Sequence, residues 1–166
     1  MKSKAQNIKN FGPRTTRVSK QGYFIPSKPE KYIGNPKIIF RSSWEFKFMQ
    51  WCDTSSSVIR WSSEPIGIPY FNPLDKKIHT YFVDFYVVYL DSEGNEKAWL
   101  VEVKPTKYIK PPKAPDRMTE KQTHNYMWAA KQYIINKAKF EAARDYAAGL
   151  GIGFGVITEN FLFNAK

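Results

Sequence analysis

The residues HTYFVDFYVVYL (79–90), DSEGNE (91–96) and KAWLVEVK (97–104) carry the reading of the fold. The two outer runs are rich in β-branched and aromatic side chains, and Gly94-Asn95 supplies the turn chemistry of a hairpin between them. The spacing predicts two central strands, 79–90 and 97–104, paired antiparallel. Side chains two apart on a strand share a face, so Glu102 and Lys104 point one way while Val101 and Val103 point the other. Asp84 is the anomaly of the first strand, an acid between Tyr81-Phe82-Val83 and Phe85-Tyr86-Val87. Pairing across the 91–96 turn sets Asp84 opposite Val103, between Glu102 and Lys104. Three charged side chains then converge at one strand end, where charge without partners is costly to bury.

Outward from this hairpin, residues 42–53 place Trp44, Phe48 and Trp51 at helical spacing, with Ser42 three residues before Glu45 as in a capping box. Segment 58–70 alternates apolar residues around Pro65, as one strand with an irregular corner or as two short ones. After Lys104, four prolines interleaved with Lys107, Lys110 and Lys113 make residues 105–115 an irregular basic loop. A long helix opens on the Thr119/Gln122 capping box, carries its apolar stripe through Tyr126, Ala130, Tyr133, Ala138 and Ala142, and ends near Gly149. Residues 152–158 form a last strand. The order helix, three strands, helix, strand describes an α/β sandwich, a central mixed sheet flanked by helices. The strand-helix-strand step is a right-handed crossover that sets the last strand parallel to 97–104 or a near neighbour.

A length of 166 residues fits one globular unit. The 26 Lys and Arg outnumber the 15 Asp and Glu, and a net charge of +11 suits a polyanionic partner such as DNA. Residues 1–40 hold nine basic side chains against the single acid Glu30. Prolines and glycines there resist regular elements, so residues 1–40 read as an extended basic arm and 41–166 as the folded domain. Phe11, Tyr23, Phe24 and Tyr32 are better suited to pinning the arm to the body than to stacking on bases. Cys52 stands alone, which excludes an intrachain disulfide and a cysteine-based zinc cluster. No apolar run reaches the ~20 residues of a membrane span, and the polar N-terminus lacks the apolar segment of a secretion signal. The expected setting is intracellular, without a membrane partner.

Two carboxylates converging with a lysine suit phosphodiester hydrolysis. Hard cations such as Mg²⁺ prefer oxygen ligands and retain waters, and a lysine can orient or deprotonate the attacking water or neutralise charge on the phosphate. Asp84, then Glu102-x-Lys104 after a hairpin, with a helical Glu45 before them, resembles the PD-(D/E)xK nuclease signature, with Val83 where the signature has proline. The resemblance implies a restriction-endonuclease-like fold and a catalytic set of Glu45, Asp84, Glu102 and Lys104. It also implies Mg²⁺, for which Mn²⁺ substitutes, held by Asp84, Glu102, the Val103 carbonyl and Glu45.

The runs RSSWE (41–45), IRWSSEP (59–65) with IPY (68–70), YFVDF (81–85) and VEVKP (101–105) are similar to the N-terminal nuclease domain of TnsA-type transposition proteins and to head completion nucleases of tailed phages. This implies an endonuclease acting on phage DNA before tail attachment, with portal or head and neck proteins as partners, in the host cytoplasm or the virion. Two alternatives stand beside it: a non-catalytic DNA-binding neck or head-closure protein, and the endonuclease subunit of a transposition complex.

DNA contacts are expected from Lys107, Lys110, Lys113 and Arg117 beside the site, from Arg14, Arg17 and Lys20 in the arm, and from Gln132, Asn136 and Lys139 on the long helix. Each site residue also has a structural explanation: Glu45 as a helix cap, Glu102 with Lys104 as a solvated strand end, Asp84 as a hydrogen-bonded core acid. His79 and His124 read as surface or strand-edge residues. The glycines at 149, 151, 153 and 155 read as a cap and a closely packed strand, since a phosphate loop needs a lysine that is absent.

Overall fold

The computed structural model describes residues 21–117 and 119–164. In chain order the elements are β1 (Gly22–Phe24), β2 (Ile38–Phe40), α1 (Ser43–Thr54), β3 (Val58–Ser63), β4 (Gly67–Asn72), β5 (Lys77–Phe82), β6 (Phe85–Leu90), β7 (Glu96–Val103), α2 (Glu120–Gly149), β8 (Gly153–Ile157) and α3 (Glu159–Asn164). Single 3₁₀ turns lie at Pro29–Lys31 and Thr106–Tyr108.

The central sheet runs β3-β6-β7-β8, with β6 and β7 in the middle as the hairpin pattern predicts. β3, β6 and β7 are antiparallel, and the crossover through α2 returns β8 parallel to β7. The strand alternation sorts two cores. Val101, Val103, Phe85 and Val87 face α1, where Phe48, Met49 and Cys52 meet them. Leu100 faces the other side, with Ile68, Tyr70, Tyr81, Ala143 and Ala147. Full burial of side chains such as Phe48, Phe85 and Leu100 contributes about 1.5–3 kcal/mol each relative to exposure. The α/β sandwich expected from the element order is the observed architecture.

The expected strand 79–90 is two strands in different sheets. β5 pairs with β4 in a separate antiparallel hairpin, and β6 pairs with β3 and β7. The break is local and paired. Glu64, at φ 46°, turns the chain between β3 and β4, and its N–H donates to the Asp84 carbonyl at the corner between β5 and β6, 2.8 Å away. Both chains therefore leave the central sheet together, and the hairpin comes to lie against α2. The observed register sets Phe85 opposite Val101, one residue from the expected pairing. Asp84 stands just past the end of that ladder.

Residues 22–40, expected to run irregularly, instead pack as part of the body. β1 and β2 pair antiparallel and bury Phe24, Ile38 and Phe40. Asp53 at the end of α1 holds the intervening turn, accepting from the Ser27 N–H (2.8 Å), the Ser27 hydroxyl (2.6 Å) and the Lys28 N–H (3.0 Å). Phe24 and Tyr32 pack edge-on against Trp61, the pinning role expected of them, whereas Tyr23 is exposed. The rest of the arm, with Phe11, lies outside the described residues.

α2 begins on the expected capping box, with Thr119 and Gln122 satisfying each other's backbone N–H groups. Gly151, at φ +69°, takes the left-handed position that ends the helix. A Cβ on Gly153 would stand 2.5 Å from ring carbons of Trp99, so this glycine lets β8 approach β7. α3 caps the α1 face through Phe161 against Trp51 and Phe163 against Trp44. Among the described residues no helix is long and apolar enough to cross a membrane.

Candidate active site

Three backbone elements meet at the end of the central sheet: the β5–β6 corner, the last residues of β7, and the middle of α2. Asp84 projects from the corner, and its Oδ2 accepts the Val103 N–H at 2.8 Å. Glu102, 4% exposed, lies on the α2 face of β7. Its Oε2 accepts the Tyr81 hydroxyl at 2.7 Å, and its Oε1 lies 3.2 Å from Lys104 Nζ. The structure thus brings Asp84, Glu102 and Lys104 together, as the strand geometry predicts.

The electrostatics are those of a crowded anionic pair. Burial, reinforced by the charge of Glu102, holds the Asp84 carboxyl well above the usual carboxylate range, against the pull of the Val103 N–H. Burial and then the Glu102 charge likewise push the Tyr81 hydroxyl far up, so it stays a protonated donor. Lys139, half-buried on α2, places its ammonium over the rings of Tyr70 and Tyr81, 5.7 and 5.6 Å from their centroids. Burial lowers its pKa, and Asp84, Glu102 and Lys104 all act on it electrostatically.

Glu45 serves as a cap. Its N–H donates to Ser42 Oγ, while its carboxylate accepts the Ser42 hydroxyl at 2.9 Å and the Arg41 N–H at 2.8 Å. The reach back is to Arg41, one residue before the cap. The Glu45 charge still acts on Asp84, so the start of α1 borders the site.

Among the described residues no three His, Cys, Asp or Glu side chains are grouped to hold an ion. The donor set is therefore two carboxylates, Asp84 and Glu102. That set fits Mg²⁺, which is commonly bound through one or two carboxylates and keeps several waters. A divalent cation beside Asp84 would offset both the burial and the Glu102 charge that raise the Asp84 pKa.

The expected DNA-contacting residues separate. Lys107, Lys110, Lys113 and Arg117 are exposed on the loop that follows β7. The loop is anchored, since Thr106 donates twice to Glu159 Oε2, at 2.9 and 3.0 Å, and Tyr108 packs edge-on against Trp128. Asn136 is a correction: it is 4% exposed and donates to the Tyr108 carbonyl at 3.3 Å, so it braces this loop from α2 rather than facing DNA. Gln132 is partly exposed one turn before it. Arg14, Arg17 and Lys20 lie outside the described residues.

Sequence reasoning assigned Tyr81 no role in the site and expected Lys139, with Gln132 and Asn136, to contact DNA from the long helix without placing it beside the carboxylates. The available signal for Tyr81 was a polar-tipped aromatic three residues before an acid in an apolar strand. For Lys139 the contact is between distant elements, and no local pattern announces it.

Residues 55–159 match the family described as TnsA-like endonuclease N terminal. That span contains Asp84, Glu102, Lys104 and Lys139 and begins after Glu45. Over 142 residues the chain is 36% identical to the head completion nuclease of Enterobacteria phage T4, covering 85% of this chain and 92% of that protein. The matched span takes in all four strands of the central sheet, the β4–β5 hairpin, α2 and the acidic pair at the sheet's end, and the chain belongs to the TnsA-like endonuclease N-terminal family.

Proposed function

We propose that this chain is a Mg²⁺-dependent endodeoxyribonuclease that hydrolyses DNA phosphodiester bonds, with Asp84, Glu102 and Lys104 as its catalytic centre. The observation that supports it most is the meeting of Asp84 with the buried Glu102 at one sheet end, with Lys104 drawn onto Glu102. Asp84, Glu102 and the Val103 carbonyl, which leaves β7 on the same edge as the N–H that reaches Asp84, would hold the cation. Glu45 would border the site through its charge. When bound, a divalent cation there supplies a Lewis acid and an acidified water.

The chain's own residues do the rest. The Tyr81 donor fixes the Glu102 carboxylate, and the Val103 N–H fixes that of Asp84. Lys104 offers its ammonium N–H groups to the attacking water or to a phosphate oxygen, where a compact positive charge offsets the charge that develops in the transition state. The exposed lysines 107, 110 and 113 with Arg117 lie on the loop that continues from Lys104 and give the DNA backbone a positive path.

The T4 relative is named for head completion. By that likeness the substrate is phage DNA at the filled head before tail attachment, and the protein works beside portal or neck proteins in the host cytoplasm or the virion. Incubation of supercoiled plasmid with the purified chain tests the activity. Nicking with Mg²⁺ or Mn²⁺ that stops with EDTA is expected; DNA left intact with either cation contradicts the reading.

A further inference from the structure

We propose that Lys139 is a second phosphate-binding cation of this centre, contacting the DNA backbone beside the bond that is cut. The proposal rests on the nuclease reading above and adds a residue from α2 to a site otherwise built by the β5–β6 corner and β7.

The placement carries it. The Lys139 ammonium lies over the faces of Tyr70 and Tyr81, from β4 and β5, and Tyr81 in turn donates to Glu102. The ring pair therefore fixes the position of Lys139 relative to the carboxylates. Contact with ring faces partly offsets the cost of desolvating the charge, but it uses none of the three N–H donors of the ammonium. Among the described residues Lys139 makes no ion pair, whereas Lys104 is bonded to Glu102. Two lysines close enough to act on each other are thus gathered at one sheet end. Like charges brought together in a partly buried place favour an anion between or beside them. If a cation occupies the carboxylates, both ammonium groups are left for phosphate oxygens.

The direction of α2 agrees. Asn136, less than one turn away, bonds the loop that carries Lys107 and Lys110, and Gln132 follows on the same face. A backbone passing Lys139 would continue along α2 towards this basic loop.

The test compares Lys139→Met, Lys139→Gln and Lys139→Arg with the wild-type chain. Metal-free affinity for a short duplex is measured across a salt series, cleavage is measured with Mg²⁺, and thermal unfolding is followed alongside. Loss of the ammonium is expected to reduce the slope of log affinity against log salt by about one and to slow cleavage roughly 10²-fold, with the Arg variant close to wild type in slope. A purely structural lysine would instead change the melting temperature and leave slope and cleavage unchanged; that result overturns the proposal. If Lys139→Met does not fold, the comparison of Gln with Arg decides it. Asp84→Ala separates the two levels. Cleavage lost there and retained in Lys139→Met removes Lys139 alone. Absence of cleavage by the wild-type chain removes the nuclease reading, while the binding slopes still decide whether Lys139 meets phosphate.

Discussion

The Tyr81 hydroxyl donates a hydrogen bond of 2.7 Å to Glu102 Oε2, joining the β4–β5 hairpin to the central sheet at its most charged point. Tyr81→Phe keeps the ring and removes the donor, leaving a carboxylate oxygen in a residue only 4% exposed without that partner. Hydrogen bonds to charged groups contribute about 1.5–3 kcal/mol. A lower melting temperature and a roughly tenfold slower cleavage, equivalent to about 1.4 kcal/mol in the barrier, are expected. Thermal melts and cleavage rates of the purified variant check both.

The loop after β7 is expected to contribute affinity and little chemistry. Lys107, Lys110 and Lys113 are exposed, while the loop's course is held by Glu159 and Asn136. Replacing all three lysines with Ala should reduce the salt slope of duplex binding by roughly 2–3 and leave the rate at saturating DNA within about threefold of wild type. Binding titrations at several salt concentrations and saturation kinetics measure the two effects separately.

Asp53 ties the N-terminal strands to α1. Burial raises its pKa, but the hydrogen bonds from Ser27, then the Lys28 N–H and the Lys31 charge, outweigh burial and hold it below the ordinary carboxylate value. The sign follows from linkage. A carboxyl whose folded pKa is depressed stabilises the protein above its unfolded pKa, near 3.8, and that stability is lost as pH falls through the folded value. Asp53→Ala is expected to cost about 1–3 kcal/mol at neutral pH and to flatten the acid limb of stability against pH below ~4. Denaturant melts at a series of pH values provide the comparison.

Much of this molecule is legible in its sequence because the informative contacts are local. The β6–β7 hairpin, its Gly94-Asn95 turn, the cap at Ser42 and the box at Thr119 each depend on residues close in the chain. Glu102 and Lys104 share a face by strand geometry alone. What escaped depends on distant partners. Nothing within 79–90 marks the corner at Asp84, because aromatic and β-branched residues continue through it; the corner exists because Glu64, twenty residues earlier, turns at the same place and bonds to it. The segment 22–40 has the composition of an arm, yet Asp53 and Trp61 hold it down from elsewhere in the chain. Asn136 and Lys139 look alike as polar residues on one helix face. One is buried as a brace, and the other is turned to a tyrosine pair, a difference set by the loop and the hairpin packed against α2.

The most direct measurement is the plasmid-nicking rate of Asp84→Ala and Lys104→Ala with Mg²⁺, taken with duplex affinity and melting temperature on the same preparations. Both variants are expected to fold and to bind DNA within roughly tenfold of wild type while cleaving at least ~10³-fold more slowly, because each removes a group acting at the reacting phosphate. Folded variants that nick plasmid at the wild-type rate would contradict the assignment of Asp84, Glu102 and Lys104 as the catalytic centre.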